Sequence, residues 1–343
     1  MFAMQLTRLG PVAEGTSPLV PARVADPIPG PQDLLLRVST CGVCHTELDE
    51  IEGRTPPPSL PRIPGHQVVG RVIARGRDAD GFSIGDRVGV AWIHSACGAC
   101  RACRHGFENL CPDFRATGRD VDGGYAELMV VPAAFAHAIP AVWSDLEAAP
   151  LLCAGAIGYR SLALSGIEDG DALGLTGFGA SAHLVLKLVR HQCPRTRVYV
   201  FTRSVDEQAF ARELGAAWAG GTCDLAPEPL RAIIDTTPAW TPIVEALANL
   251  APGGRLVVNA IRKEDGDRNA LLRLDYPSHL WMEKEIKSVA NVTRRDVGDF
   301  LQRAAEMGIR PEVEAYALAD ANRALVDIKA RRIRGAKVLQ VSR

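Results

Sequence analysis

From Ala172 to Val289 the chain alternates strand-type and helix-type runs. The strand-type runs are Ala172–Thr176, Arg197–Thr202, Ala232–Asp235, Arg255–Asn259 and Glu285–Val289. Helices are expected between them at Ser181–Arg190, Asp206–Leu214 and Thr241–Leu250. A strand followed by a helix cannot turn back as a hairpin, so successive strands lie parallel, and this stretch reads as a doubly wound α/β sheet. Upstream, from Met1 to about Pro150, short β-type runs (Leu34–Val38, Val68–Ala74, Arg87–Trp92, Ala126–Val131) are broken by Gly and Pro, which reads as a separate, loop-rich β domain. Downstream, Val297, Phe300, Leu301 and Ala304 recur at helical spacing and predict a helix from Asp296 to Met307. A second helix follows at Asp320–Ala330, then a last strand at Lys337–Val341.

At 343 residues there is room for roughly two domains and a cleft between them. A net charge of -1 gives no reason to expect a polyanionic partner, so nucleic acid is a poor default partner. No apolar run of about 20 residues is present to span a bilayer, and the first residues lack the apolar segment of a signal peptide. A cytoplasmic protein is expected. In that reducing compartment nine cysteines read as metal ligands or buried small hydrophobes rather than disulfides. Cys193 and Cys223 have no partner at ligand spacing.

Cys97-x2-Cys100-x2-Cys103-x7-Cys111 does have that spacing. Cysteines two residues apart reach one ion from a single turn of chain, and four thiolates close a tetrahedral structural zinc site. The first three cysteines and Cys111-Pro112 also echo an iron–sulfur run, but a final interval of seven rather than three residues argues against it. Four buried thiols are a poorer reading still, because Gly98, Arg101 and Arg104 make this a polar surface loop.

After the strand ending at Thr176, Gly177-Phe178-Gly179-Ala180-Ser181-Ala182 opens a helix in the order that a dinucleotide fingerprint requires. At the end of the next strand, where a carboxylate would receive the ribose hydroxyls of NAD(H), the chain has Thr202-Arg203-Ser204. A guanidinium flanked by hydroxyls accepts a 2′-phosphate, so NADP(H) is favoured over NAD(H).

Three further segments carry metal-type ligands: Cys44-His45-Thr46, Gly65-His66-Gln67 and Cys153-Ala154-Gly155. Taken singly, His66 reads as a hydrogen-bonded structural histidine and Cys153 as a core residue. As a set, with Asp122-Gly123-Gly124-Tyr125-Ala126-Glu127 and the four-cysteine lobe, they resemble the zinc-dependent medium-chain alcohol dehydrogenases over essentially the whole chain. The resemblance implies a GroES-like β-rich catalytic domain (1–153 with 292–343, lobe at about 94–113) and a Rossmann nucleotide-binding domain (154–291). It also implies two zinc ions per chain, one catalytic and one structural. Cys44, His66 and Cys153 would ligate the catalytic ion, with Cys41 a buried bystander. Thr46 would take the alcohol proton, His45 would touch the cofactor pyrophosphate, Ile157 would pack on the nicotinamide, and Trp92 would line the substrate pocket. A homodimer or homotetramer acting on a small alcohol, aldehyde or ketone is implied as well.

The chain departs from the family at three positions. Gln67 replaces a Glu behind the metal. Asp49 stands where a histidine ends the proton relay, and an Asp is a weaker base at neutral pH. Glu47 replaces the Asp that orients His66. Two alternatives stay open on these residues: a zinc-stabilised NADPH-binding sensor or scaffold with little turnover, and a nucleic-acid-binding zinc module resting on the cysteine lobe alone.

Overall fold

The computed structural model describes residues 1–330 and 335–342. Residues 331–334 and 343, part of the expected span 292–343, lie outside the described residues. The chain divides into two units, Met1–Ala156 with Val292–Arg343, and Ile157–Asn291.

In the first unit, among the described residues, seven strands form one sheet in the order Val313–Ala317, Ala336–Gln340, Asp33–Val43, Val68–Arg75, Arg87–Val90 and Ala136–Ala138, with Leu128–Pro132 also pairing to Asp33–Val43. The strand expected at Leu34–Val38 therefore runs on to Val43. Its first half alternates, with Leu34, Leu36 and Val38 buried, and from Thr40 to Val43 every residue is buried. Partners on both edges explain the extension: Val68–Arg75 on one side, Leu128–Pro132 and then Ala336–Gln340 on the other. The ladder delivers Cys44 at the end of a strand that cannot slip. Leu36, Val38, Val72, Val88, Met129 and Leu339 form part of the core beneath it.

The sequence pattern did not mark the helix Asp145–Pro150, the π turn Leu151–Gly155 or the helix Ala156–Ser165. Ser144 starts this segment with a capping box to Glu147. Pro150 brings no N–H to the helical ladder, and the next turn widens by one residue. Cys153 sits on that wide turn. The helix Arg294–Glu306, capped by Thr293 and Asp296, buries Val297, Phe300, Leu301 and Ala304, the face the periodicity predicts. A Cβ on Gly155 would lie 2.3 Å from the Phe300 ring, so this helix packs directly against the turn that carries Cys153.

In the second unit, among the described residues, six strands lie parallel in the order Trp218–Gly220, Arg197–Phe201, Ala172–Thr176, Leu230–Asp235, Leu250–Val258, Glu285–Ser288. Numbered along the chain this is 3-2-1-4-5-6, the doubly wound order, and its direction reverses between Ala172–Thr176 and Leu230–Asp235. Every residue of Ala172–Thr176 is buried, as a central parallel strand requires. The three-residue strand Trp218–Gly220 was too short to show a pattern in the sequence. No helix among the described residues is long and apolar enough to cross a membrane.

Candidate active site

The site begins with a helix cap. Cys44 is the N-cap of the helix His45–Ile51: its Sγ accepts the Thr46 N–H at 3.4 Å, and Glu47 Oε2 accepts the Cys44 N–H at 2.8 Å. This is a capping box with a thiol in place of a hydroxyl. Its other carboxylate oxygen, Glu47 Oε1, lies 2.6 Å from His66 Nδ1, with Glu47 wholly buried and His66 1% exposed. One carboxylate thus fixes the cap and turns the imidazole so that Nε2 faces the two sulfurs.

His66 lies on a loop that only glycine can close. Gly65 has φ +99°, and a Cβ there would fall 2.3 Å from the Tyr125 ring. Gly123, Gly124 and Tyr125 donate backbone hydrogen bonds to Ile63, Gly65 and Pro64, and Asp122 Oδ1 accepts the Ile63 N–H at 3.1 Å. The Asp122–Tyr125 motif is the clamp that holds this loop.

Cys44 Sγ is 3.5 Å and Cys153 Sγ 3.3 Å from His66 Nε2, and the three donor atoms lie within 4.8 Å of one another. Ligands on a tetrahedral zinc with bonds of about 2.3 Å to sulfur and about 2.0 Å to nitrogen stand roughly 3.6 Å apart, so the spacing fits. The electrostatics fit as well. A hydrogen bond with Cys153, burial and the Glu47 carboxylate hold the Cys44 thiol well above its usual range. Burial depresses His66, but Glu47 and Cys44 outweigh it and raise the imidazole well above its ordinary value. Acidic groups crowded into a dry site ask for positive charge, which a divalent cation supplies while taking sulfur as thiolate and His66 as neutral ligand.

Around this set, Thr46 is half-buried one residue into the helix, and Cys41 is fully buried with its thiol pushed up by burial and Glu47. Gln67 is 2% exposed, and its side chain fills the space a Cβ on Gly42 would need. Asp49 is drawn to Arg54, whose Nε lies 2.5 Å from Oδ1, while Arg54 Nη1 reaches Glu52 at 2.7 Å. Trp92 is buried against Phe114, ring centroids 5.1 Å apart, with the Arg119 guanidinium 5.3 Å from its ring.

The four-cysteine loop gathers Cys97, Cys100, Cys103 and Cys111 into a second set within 4.8 Å. Cys97 Sγ is 3.5 Å from Cys111 Sγ and 4.0 Å from Cys103 Sγ. Backbone N–H groups of Cys97, Cys100 and Cys103 point at the sulfurs of Cys111, Cys97 and Cys100 at 3.3–3.5 Å. Donors from Ala99 and Cys100 lower the Cys97 thiol to about 7, whereas burial and Cys100 push Cys103 up to about 12. Such N–H donors serve thiolates, and one closed tetrahedron accepts all four. The loop is tied down through Glu108, which accepts from Arg294 N at 3.0 Å and Nε at 3.2 Å.

In the second unit, Gly177 has φ +75°, and a Cβ there would press on Thr236 and Thr237 at 3.0 Å. Gly179 is the N-cap of the helix Ala180–Gln192, has no side-chain cap, and faces open space. Ala182 is fully buried between helix and sheet. This 13-residue helix starts without a side-chain cap, which fits a dinucleotide pyrophosphate at its N-terminus. Ser181 Oγ accepts from Asn259 at 3.4 Å, and Ile157 is half-buried at the start of this unit. His45 is exposed.

The expected phosphate cradle is narrower than its sequence. Arg203 is exposed, but Thr202 is buried with its hydroxyl donated to Glu207, and Ser204 caps the helix Val205–Glu213 by accepting the Glu207 N–H at 3.3 Å. Sequence reasoning also missed Asp235, a fully buried carboxylate that accepts from Thr176 Oγ1 (2.5 Å), Thr237 Oγ1 (2.8 Å) and the Lys263 ammonium. Its signal was an acid directly after the apolar run Ala232–Ile234, beside the glycine turn.

Residues 30–141 match the family described as the alcohol dehydrogenase GroES-like domain. Over 99% of its length the chain is 45% identical to the probable alcohol dehydrogenase AdhA of Mycobacterium tuberculosis, 97% of which is covered. It is 32% identical to an alcohol dehydrogenase of Geobacillus stearothermophilus, over 90% of this chain and 91% of that one. Among solved structures, a cinnamyl alcohol dehydrogenase of Sorghum bicolor superposes with a TM-score of 0.83 at 28% identity, covering 99% of this chain and 97% of the other.

Proposed function

Since the chain belongs to the medium-chain alcohol dehydrogenase family, we propose that it is a zinc-dependent enzyme moving hydride between NADP(H) and a small alcohol or its aldehyde or ketone. The observation that carries the zinc assignment is the convergence of Cys44, His66 and Cys153 within 4.8 Å, with His66 oriented by a buried carboxylate. Three ligands leave a fourth position for substrate oxygen.

When bound, the zinc supplies Lewis acidity toward the substrate oxygen and the dinucleotide supplies or accepts the hydride. The residues do the rest. Glu47 holds the His66 ring and the cap that presents Cys44. The Thr46 hydroxyl receives the alcohol proton or returns it. Asp49, paired with Arg54, is a poor onward base, so Thr46 passes its proton to water rather than to that carboxylate, and His45 touches the pyrophosphate. Gly177, Gly179, Ala180, Ser181 and Ala182 let the helix N-terminus approach the pyrophosphate, and Ile157 packs on the nicotinamide. Arg203, with Ser204, favours a 2′-phosphate. The second zinc, on Cys97, Cys100, Cys103 and Cys111, is structural.

The strand Glu285–Ser288 ends its sheet with every residue exposed, and Trp281, Met282 and Ile286 are also about half exposed. An open strand edge with exposed Trp281, Met282 and Ile286 beside it supports self-association through the nucleotide-binding units, testable by light scattering. A cytoplasmic location is in keeping with nine unbridged cysteines.

The deciding experiment measures zinc content and the oxidation of NADPH and NADH with linear, branched and aromatic aldehydes. Turnover that disappears in Cys44→Ser and His66→Ala, with the fold intact, supports the reading. NADPH binding without turnover on any aldehyde would favour a sensor or scaffold instead.

A further inference from the structure

The buried carboxylate Asp235 and its partner Lys263 have no part in the steps above. Asp235 ends the strand Leu230–Asp235 with its side chain fully buried, and Lys263, 8% exposed, lies in the loop after the strand Leu250–Val258. Its ammonium donates to Asp235 and, at 2.6 Å, to the Thr237 carbonyl. Desolvating both charges offsets most of their attraction, so such a pair adds little net stability. What it fixes is where the loop lies.

Further bonds tie the same loop along the same line. The Glu264 N–H donates to the Pro238 carbonyl at 2.7 Å. Asp267 accepts the Trp240 N–H at 2.9 Å and the Thr241 N–H at 2.7 Å, and so caps from outside the helix Thr241–Asn249, which starts without a side-chain cap from its own N-cap residue. Residues 260–267 are thus laced to residues 237–241. At its root the loop is joined to the glycine turn: the Asn259 N–H donates to the Asp235 carbonyl at 2.7 Å, and the Asn259 amide to Ser181 Oγ at 3.4 Å. Thr236 and Thr237 back Gly177 closely enough that a Cβ there would lie 3.0 Å from each.

All of these residues stand at the carboxyl ends of parallel strands, beside the point where the strand order reverses. Doubly wound sheets take their ligands at that point, and each sheet is two mononucleotide-binding halves. The glycine turn and Arg203 follow the first and second strands of the sheet, in the half that takes adenosine. Asp235 and the loop that carries Lys263 follow the fourth and fifth, in the other half. We propose that Lys263 is a positioning residue for the nicotinamide half of the cofactor: paired with Asp235, it holds residues 259–267 in the arrangement that receives that half, and the adenosine half does not depend on it. The inference rests on the reading above in placing a dinucleotide at Gly177–Ala182.

Losing Lys263 alone would strand a buried carboxylate, so the test uses the double variant Asp235→Asn with Lys263→Met. The asparagine still accepts from the Thr176 and Thr237 hydroxyls, and the methionine fills the space of the lysine stem, so the glycine turn keeps its backing while the loop is untied. Purified zinc-loaded enzyme is titrated with NADPH and with adenosine 2′,5′-bisphosphate, which offers the adenosine half only. Should NADH be the tighter cofactor, NADH and AMP take their places. The dinucleotide Kd is expected to rise by about tenfold in the double variant, with the fragment Kd held within about twofold. Asp267→Ala, which unties the loop at a half-buried position, should act in the same direction by about threefold, and it carries the test if the double variant does not fold. The proposal is overturned if dinucleotide affinity is unchanged in the folded variants. It is equally overturned if the fragment weakens as much as the dinucleotide, because the pair then supports the whole unit rather than one half of the ligand. A wild type that binds neither NADPH nor NADH overturns the dinucleotide reading as well, which separates the two failures.

Discussion

Asp49 and Arg54 form an ion pair, Nε to Oδ1 at 2.5 Å, on the helix and turn that follow Cys44. Arg54 is held in turn by Glu52, which also accepts the Val12 N–H at 2.9 Å and pairs with Lys329. The position where the family ends its relay in a titrating base is therefore part of a chain of charges that braces this helix. Burial works against Arg54 but is outweighed by Asp49 and Glu52, which raise its pKa further.

A braced Asp49 makes a clear prediction for Asp49→Asn. The pH profile of kcat/KM should keep its shape, because no catalytic proton is lost, while stability falls by roughly 1–2 kcal/mol through loss of a charge-assisted hydrogen bond. Asp49→His should add a new titration near neutral pH. A steady-state profile from pH 6 to 10, read beside urea unfolding, checks both. An acid limb that shifts in the Asn variant would show Asp49 to be a working base.

The two metal sets should respond differently to chelation. Three of the four lobe cysteines, Cys97, Cys100 and Cys103, are at least partly exposed on a surface loop, whereas His66 and Glu47 are sealed from solvent. About two zinc ions per chain are expected, falling to about one in Cys100→Ser with part of the thermal stability lost. Cys153→Ser should also bind about one ion, yet melt closer to wild type while losing turnover. Metal analysis paired with thermal melts distinguishes these outcomes.

How far the sequence discloses this molecule depends on how local each feature is. The turn Gly177–Ala182 was legible because strand, glycines and helix are consecutive, and the helix face of Val297, Phe300, Leu301 and Ala304 because periodicity is local. Cys44, His66 and Cys153 are separated by 22 and 87 positions, so no spacing rule joins them, and only resemblance to a family brought them together. The wide turn carrying Cys153 was hidden by Pro150, Gly155 and Gly158, which read as breaks. The fate of Asp49 was illegible for another reason: Arg54 lies in the turn beyond the helix, and only the folded backbone shows that its guanidinium comes back. The occupation of Thr202 by Glu207 was hidden likewise, since a side-chain bond across a helix cap competes with the ligand it was expected to serve.

Two buried histidines predict acid sensitivity in each unit. Burial, aided by Arg294, lowers His137 to about 4, and burial lowers His183 to about 4 despite a hydrogen bond to the Gly179 carbonyl. Each binds its proton more readily when unfolded, at about 6.5, so the stability it contributes is complete above about pH 6.5 and is lost as pH falls toward 4. Each can steepen the dependence by up to about 1.4 kcal/mol per pH unit in that window. Urea unfolding between pH 4.5 and 7 should give a shallower slope for His183→Gln in the nucleotide-binding unit and for His137→Gln in the other. Equal slopes in wild type and variants would place the acid sensitivity elsewhere.

On the proposed reading, the cofactor preference falls mainly to Arg203, because Thr202 is committed to Glu207 and Ser204 to its helix cap. A charge-assisted hydrogen bond to a 2′-phosphate contributes about 1.5–3 kcal/mol, which corresponds to roughly 10- to 100-fold in kcat/KM. Arg203→Ala should therefore lower kcat/KM for NADPH by that factor and leave NADH nearly unchanged. Glu207→Gln should shift preference further toward NADPH, because it removes a negative charge beside the phosphate. Initial rates with both cofactors in wild type and the two variants decide the matter: if Arg203→Ala leaves the NADPH/NADH ratio intact, this residue faces solvent and the preference is set by other contacts.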